Sequence, residues 1–532
     1  MNSTLRFKDC FLACFLLAAY FTCSAQNETV AGEVLTPYPT LTNIAVEWLI
    51  GGDDNQNGVV TVVFRKKGSS SWQEGMPLRR VPAGENVNFS WKNKHAGSLF
   101  DLFPDTSYEV KLTLRDPDGG NAERTVLVHT RAEPVFDKGE IVELPAGAHD
   151  TLRTKSGTSG RPVIYRCPAG TAIYKYIDLR NRQWVYIDGL VVDNIEKDGI
   201  GIQMNGAENC AVRRCTINAV YGIVAYKPGA KNCMISDNVV TGVSQWTNKA
   251  MGADGDNIGE GIEMTGPGNV ICYNRVTAFR DCISTMEDAH VVDQLCIDIY
   301  NNDIYRGADD GIEADFCFAN CRIYRNRLTN CFVGLSSQPG LGGPNYFIRN
   351  VMYNITYSGF KFNRFSQGDV VLHNTLIKIG TGLGRTAPMD YAYFRNNLAI
   401  GGPTDGVKWG NYESGNPYAS DFINPGSHSS FDYDAVGVWG IQYIAKIGDQ
   451  DFKVVEPHGV GNIKLDDVFP GVPFPNTPVP ERNPPDLRPK KGSAVIDAGI
   501  HISNINDGFA GKAPDCGAYE LGEEMPHYGP RK

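Results

Sequence analysis

NNDIYRGADDGIEADFCFANCRIYRNRLTNCFVGLSSQPGLGGPNYFIRNVMYNITYSGF, residues 301–360, states one pattern three times. An asparagine stands two places before an aliphatic residue or methionine in Asn302-Asp303-Ile304, Asn326-Arg327-Leu328 and Asn350-Val351-Met352. A few residues on, a glycine opens a second apolar step: Gly311-Ile312, Gly334-Leu335, Gly359-Phe360. Working outward, the asparagine pattern recurs at Asn238-Val239-Val240, Asn274-Arg275-Val276, Asn374-Thr375-Leu376 and Asn396-Asn397-Leu398, with Val191-Val192 and Thr216-Ile217 in front. The markers fall at 192, 217, 240, 276, 304, 328, 352, 376 and 398, so the gaps are 25, 23, 36, 28, 24, 24, 24 and 22. A period near 24 with short apolar strands, glycine turns and no helical periodicity predicts a β-solenoid. The gap of 36 predicts a loop, Gln245 to Gly259, thrown out of one coil over the binding face.

The chain has 532 residues, enough for more than one domain, and 42% are hydrophobic, enough for a sizeable core. Fifty Lys and Arg against 60 Asp and Glu give a net charge of −10, which argues against a nucleic-acid partner. Arg6 and Lys8 precede an apolar run, Phe11 to Phe21, followed by Ala25. That is the form of a secretory signal cleaved near Ala25, and the run falls short of the roughly 20 residues of a membrane span. An exported protein, secreted, periplasmic or at the cell surface, is expected, and a monomer. Eleven of the 14 cysteines follow Ala25, nine of them between Cys210 and Cys331, with no C-x-x-C pair. Small buried residues stacked in a repetitive core are expected, rather than a zinc site.

Residues 27–132 alternate like strands in Ile44 to Trp48, Val59 to Arg65, Tyr108 to Leu114 and Thr125 to His129, which predicts a β-sandwich. Leu102 to Tyr108, L-F-P-D-T-S-Y, resembles the corner motif of fibronectin type III domains, and Trp48 their early core tryptophan. The resemblance implies a spacer or carbohydrate-binding module without chemistry. From 137 to 532 the coil pattern resembles the right-handed parallel β-helix, pectate-lyase-like group of extracellular carbohydrate enzymes. Gly157 to Arg166 and Trp184 to Val192 resemble that group's opening coils, and Gly492 to Gly499 with Pro514 to Gly522 its closing segment. Pro470 to Pro489 reads as a strap along the helix. The expected fold is therefore all-β, a fibronectin type III-like sandwich followed by a right-handed parallel β-helix.

Equivalent positions of stacked coils lie about 4.8 Å apart, and side chains alternate in and out along a strand. Counting from the glycine, the next position is apolar throughout, so the flanking rows are expected to face solvent. Those rows gather Glu260, Glu263, Asp281, Asp309, Asp310, Glu313 and Asp315, with Glu287 and Asp288 nearby. Like charges so close push one pKa up, the arrangement of a general acid beside an ionised partner. Asp310, Glu313 and Glu263 are the expected catalytic residues. The coil spacings, about 5 Å and about 10 Å, suit either a retaining or an inverting glycosidase. An exposed acidic ladder or a bound Ca²⁺ is the bland alternative; no metal ligand is assigned and no cofactor is required.

Gln338, Tyr357, Lys361, Asn363, Arg364 and His373 follow within three coils, with Lys378 and Arg385 beyond. With Asp281, Asp309 and Asp315 they form the expected substrate-binding surface for an anionic sugar chain. The first reading is an endo-acting glycoside hydrolase on an anionic, sulfated polysaccharide such as fucan or carrageenan. A polysaccharide lyase using Lys361, Arg364, Tyr357 or His373, and a non-catalytic carbohydrate-binding protein, are the alternatives. The polygalacturonase strings N-T-D, G-H-G and R-I-K are absent, and Gly307-Ala308-Asp309-Asp310 only partly echoes their G-D-D.

Overall fold

In the computed structural model, which describes residues 26–285, 294–384, 387–477, 479 and 481–532, the markers form one column. Val192 pairs with Ile217, then Val240, Val276, Ile304, Leu328, Met352 and Leu376, each in register on the next parallel strand. The last marker is one place off: Leu376 pairs with Ala399, not Leu398. The reason is that Asn397, not Asn396, continues the asparagine row. Asn396 is left-handed (φ 61°) and donates instead to Ile500 O on the C-terminal segment.

That row explains the period. Asn326 donates its backbone N–H to Asn350 Oδ1 at 3.1 Å. Its Nδ2 donates to the same oxygen at 3.0 Å and to Ile299 O at 2.9 Å. Asn238, Asn274, Asn302, Asn350, Asn374 and Asn397 repeat the arrangement, and the row ends on Asp434. The residue before each asparagine turns the chain in the left-handed region, as at Arg325 (φ 53°) and Arg349 (φ 53°). A buried turn leaves backbone donors and acceptors that must be met inside the protein, and the asparagine amides meet them.

The coils build a parallel 12-stranded sheet and a 17-stranded sheet around an apolar interior. At the glycine of each coil the chain bends over the marker of the neighbouring coil. A Cβ on Gly334 would lie 2.5 Å from Met352 Sδ, and one on Gly359 2.3 Å from Leu376 Cδ2. Cys282 fills the same place in the coil that lacks glycine and is fully buried. The eleven described cysteines are all free, and ten are buried.

Seven antiparallel strands precede the solenoid, in the order Val30–Leu35, Ile44–Gly51, Lys94–Leu99, Gln73–Val81, Val59–Lys66, Ser107–Arg115, Ala122–His129. Trp48 and Tyr108 lie in their common core, and Tyr108 OH accepts the Phe103 N–H at 2.9 Å. This unit is not a detached spacer. Leu41, Met76, Phe100 and Phe136 share one buried cluster with Tyr186, Tyr300, Tyr324 and Tyr346 on the outside of the 12-stranded sheet. Asn43 Nδ2 donates to Asp298 Oδ2 at 2.8 Å, and Arg322, itself paired with Asp298, donates to Ser98 Oγ at 3.2 Å. Both members of the Arg322–Asp298 pair are buried, a costly arrangement unless every partner stays in place.

The strap expected at Pro470 to Pro489 lies along the stack: Pro473 O accepts from Tyr353 OH and Arg482 O from Asn330 Nδ2. Residues 493–531 then run back across the coils, ending with Arg531 on Asp237 at 2.7 Å.

Two outcomes follow. Asn326→Ala removes the four hydrogen bonds of that side chain and strands their partners, so the stability read from the denaturation midpoint should fall by about 2–4 kcal/mol. Deleting residues 26–132 should give an aggregating protein rather than a free solenoid, because the tyrosine face it bares is apolar; a soluble monomer on size-exclusion chromatography would contradict this.

Candidate active site

The acid rows stack as the coil count requires. Glu263, Ser284, Glu313, Ser336 and Lys361 are successive partners, as are Glu260 with Asp281 and Asp310 with Val333 and Ser358. Their exposure is not as expected. Glu260, Glu263, Asp281, Asp309, Asp310 and Asp315 are buried, and Glu313 is half-buried. They do point away from the solenoid interior, but other segments close over them. Trp246 and Met251, from the loop expected at Gln245 to Gly259, pack with Trp409 against Phe332 and Val333. Tyr357 stacks on Phe332 at 5.2 Å, and Trp409 and Tyr412 meet that ring edge-on. Gly252 N–H donates to Ala308 O at 2.8 Å, which fastens the loop beside Asp309.

A break in strand register lies between Gly307 and Asp310. Bulges re-aim side chains and collect near functional sites. Here the consequence is that the consecutive Asp309 and Asp310 both join the acid cluster instead of alternating in and out. Asp310 forms an ion pair with Lys361, which reaches back from the second coil onward. Its backbone N–H donates to Asp281 Oδ1 at 2.7 Å. Arg280 Nε stands 3.4 Å from Asp281 Oδ2 and 3.8 Å from Asp309 Oδ2. On the other side Ser284 Oγ donates to Glu313 Oε2 at 3.3 Å, and Asp315 Oδ1 accepts from Ser336 Oγ at 2.6 Å and the Gln338 N–H at 2.8 Å. Asn363 Nδ2 donates to Gln338 Oε1 at 2.9 Å, continuing the polar line.

Burial, reinforced by neighbouring carboxylates, pushes Asp281 and Glu313 well above the usual range. Burial likewise raises Asp309 to about 7, with Asp310 adding to the rise and Lys361 opposing it, and Asp315 to about 7. Burial opposes the charge on Lys361, but Asp310, Asp315, Glu313 and Asp309 overcome it and hold the ammonium above its ordinary pKa. The cluster therefore has protonated carboxyls near neutrality beside a fixed cation and the carboxylate paired with it. Side-chain exposure separates their roles: 10% for Asp309 and 1% for Asp310, with 13% for Lys361 and 35% for Arg280.

The remaining expected residues divide. Arg364 is exposed, and its carbonyl accepts from Asn86 of the sandwich. His373 is not a substrate-binding residue. It is buried, Asn396 and Asn506 side chains donate to its Nε2 at 2.9 and 2.8 Å, and burial pushes its pKa down to about 3. It anchors the closing segment. Lys378 is also internal, donating to Thr381 O at 2.9 Å. Glu287, Asp288 and Arg385, like the expected signal at 1–25, lie outside the described residues. Among the described residues no group of three or more His, Cys, Asp or Glu side chains is arranged to hold a metal ion, and no helix is long and apolar enough to cross a membrane. Sequence reasoning did not name Arg280, Trp246, Trp409 or Tyr412; the adjacency of Arg280 to Asp281 and the place of Trp246 in the expected Gln245–Gly259 loop were the signals, and Trp409 and Tyr412 had none.

No protein-family model matches the chain, and no curated protein matches it in sequence. Among solved structures it is similar to the family 28 exopolygalacturonase of Yersinia enterocolitica, with 11% sequence identity and a TM-score of 0.31, over 79% of this chain and 98% of that one.

The raised carboxyls fix a pH dependence. A carboxyl whose folded pKa exceeds its unfolded value favours folding at low pH and loses that contribution as pH rises through the folded pKa. For Asp309 and Asp315 the window runs from about 4 to about 7. The melting temperature should fall across it, and Asp309→Asn should flatten the fall; an unchanged slope would contradict the assignment.

Proposed function

We propose that this protein hydrolyses glycosidic bonds of a polysaccharide, with Asp309 as the general acid and Asp310, paired with Lys361, as its partner. The observation that carries the reading is the consecutive pair itself: Asp309 holds a proton up to about pH 7 and is partly accessible, while Asp310 is paired with Lys361. A general acid must be protonated at working pH and reachable by the leaving oxygen, and of the two only Asp309 is both. Asp309 donates its proton to the glycosidic oxygen as the bond to the anomeric carbon breaks. The attacking water passes its proton to solvent, while Asp310, paired with Lys361, raises Asp309 and so keeps the acid's proton in place. Proton return through solvent resets Asp309. Glu313, half-buried and raised, lines the same cluster, and Glu263 lies two coils from it on the same row.

The lyase reading needs a base. Lys361 is held as an ammonium and His373 is sealed in the interior, so two of its bases are lost. For the substrate we propose an anionic chain, sulfated or uronate-bearing and cut internally, with Arg280 beside the acids and Arg364 at the surface to meet its charges. The sandwich is proposed to belong to the fibronectin type III class, and export of the protein through its first 25 residues is proposed on their sequence form.

Incubation with a panel of sulfated and uronate polysaccharides should release reducing ends without the ultraviolet absorbance of an unsaturated product. Both signals together would mean a lyase, and neither a binding protein. Asp309→Asn and Asp310→Asn should each lower turnover by a factor of about 10² to 10⁴ with the fold intact by circular dichroism. Near-normal rates in both would move the active centre elsewhere.

A further inference from the structure

A cleft of about 780 Å³ opens between the sandwich and the solenoid on the side of the 12-stranded sheet, whereas the acid cluster lies on the 17-stranded sheet. One wall is the strand Gln73–Val81 with the turn around Gln56; the other carries Tyr391, Tyr393 and His428, and His501 of the closing segment borders it. Most of its charged groups are internally compensated. Arg80 pairs with Asp53, His428 contacts Asp390 at 2.8 Å, and His501 contacts Asp507 at 2.7 Å. Asp54, at the mouth, accepts the Gln26 N–H at 2.7 Å.

Arg79 is different. It is half-buried, its guanidinium lies 4.3 Å from the Tyr393 ring centroid, and Arg395 covers the same ring at 4.2 Å. Arg395 is satisfied by Phe394 O, Ser430 O and Ser430 Oγ. Arg79, among the described residues, makes no hydrogen bond and no ion pair. Burial holds its pKa below the ordinary arginine value, with Arg395 adding to the effect. A planar fork of donors, oriented by an aromatic ring, partly desolvated and left without an acceptor, is the recognition element for a carboxylate or sulfate.

We infer that this cleft is a second glycan-binding site, in which Arg79 takes the sulfate or carboxylate of an anionic sugar chain. A bare inorganic anion would not use the cleft's size, which falls in the range of sites that enclose a small organic ligand. Tyr391, stacked on His428 at 4.5 Å and hydrogen-bonded to Gln56 Nε2 at 3.1 Å, supplies the mixed apolar and polar wall a sugar ring requires. The inference rests on the anionic substrate class proposed above, and it locates a site that holds the chain without cutting it.

Affinity electrophoresis of the full-length protein through gels carrying dextran sulfate, polygalacturonate or neutral dextran tests it, with Asp309→Asn as the background so that binding is read without turnover. Arg79→Gln should weaken binding to the charged polymer roughly tenfold or more and leave migration in neutral dextran unchanged. Gln56→Glu, which adds a carboxylate to the lining of the same cleft and leaves Arg79 itself in place, should also weaken binding and stands in if Arg79→Gln melts early. Loss in dextran sulfate alone assigns a sulfate, in polygalacturonate alone a carboxylate, and in both a site for either. Equal retardation of all variants, or no retardation in either charged gel, would overturn the inference. Because binding is measured apart from hydrolysis, failure of the catalytic assignment would appear instead as residual turnover in Asp309→Asn.

Discussion

The asparagine row from Asn238 to Asn397 is the constraint on which the rest of the structure depends. Each side chain from Asn274 on joins three consecutive coils: as at Asn326, its oxygen receives two N–H groups from the coil before it, and its amide donates to a backbone carbonyl of that same coil and to the asparagine oxygen of the coil after it. A coil that did not return in register would bury unmatched amides, at about 1–3 kcal/mol for each group. Extra residues therefore cannot be absorbed by slippage. The coil between Val240 and Val276 ejects its surplus as the loop that carries Trp246 and Met251, and the register on either side is unbroken. The row ends where an acid replaces the amide: Asp434 accepts from Asn397, and Glu456 accepts the Asp434 N–H at 3.0 Å.

That rigidity allows an otherwise unfavourable cluster. Stacking places carboxylates on neighbouring coils whether or not they repel, and the aromatic cover made by Trp246, Phe332, Tyr357, Trp409 and Tyr412 reduces the water that would screen them. The system responds by keeping protons on Asp281, Asp309, Glu313 and Asp315 and by drawing Lys361 across two coils to Asp310. A carboxyl that holds its proton and one paired with an ammonium thereby stand on consecutive residues.

Much of this was legible in the sequence because a solenoid is nearly one-dimensional: period gives register, and register gives neighbours. The columns through Val276 and Ile312 follow from spacing alone. What covers a column does not, so Glu263 and Asp310 were expected at the surface and lie beneath it. The break after Gly307 leaves no mark in composition, and without it Asp309 reads as a binding residue rather than as Asp310's partner in the pair. His373 was misplaced for a related reason. Its row is polar because its backbone turns in the left-handed region, and the closing segment that buries it comes from more than 120 residues further along the chain. The two adjacent asparagines at 396 and 397 offered two registers, and only the ladder chooses between them. The sandwich, read as a spacer from its own sequence, owes its fixed place to tyrosines spread over several coils.

The central claim is that coil stacking holds a protonated Asp309 beside Asp310, the partner of Lys361. Carboxyl carbon NMR of selectively labelled protein measures it directly, by titrating Asp309 in the wild type and in Asp310→Asn. The account predicts a midpoint near 7 for Asp309 that moves down when the neighbouring charge is removed. A midpoint near 4, unmoved by the substitution, would contradict it.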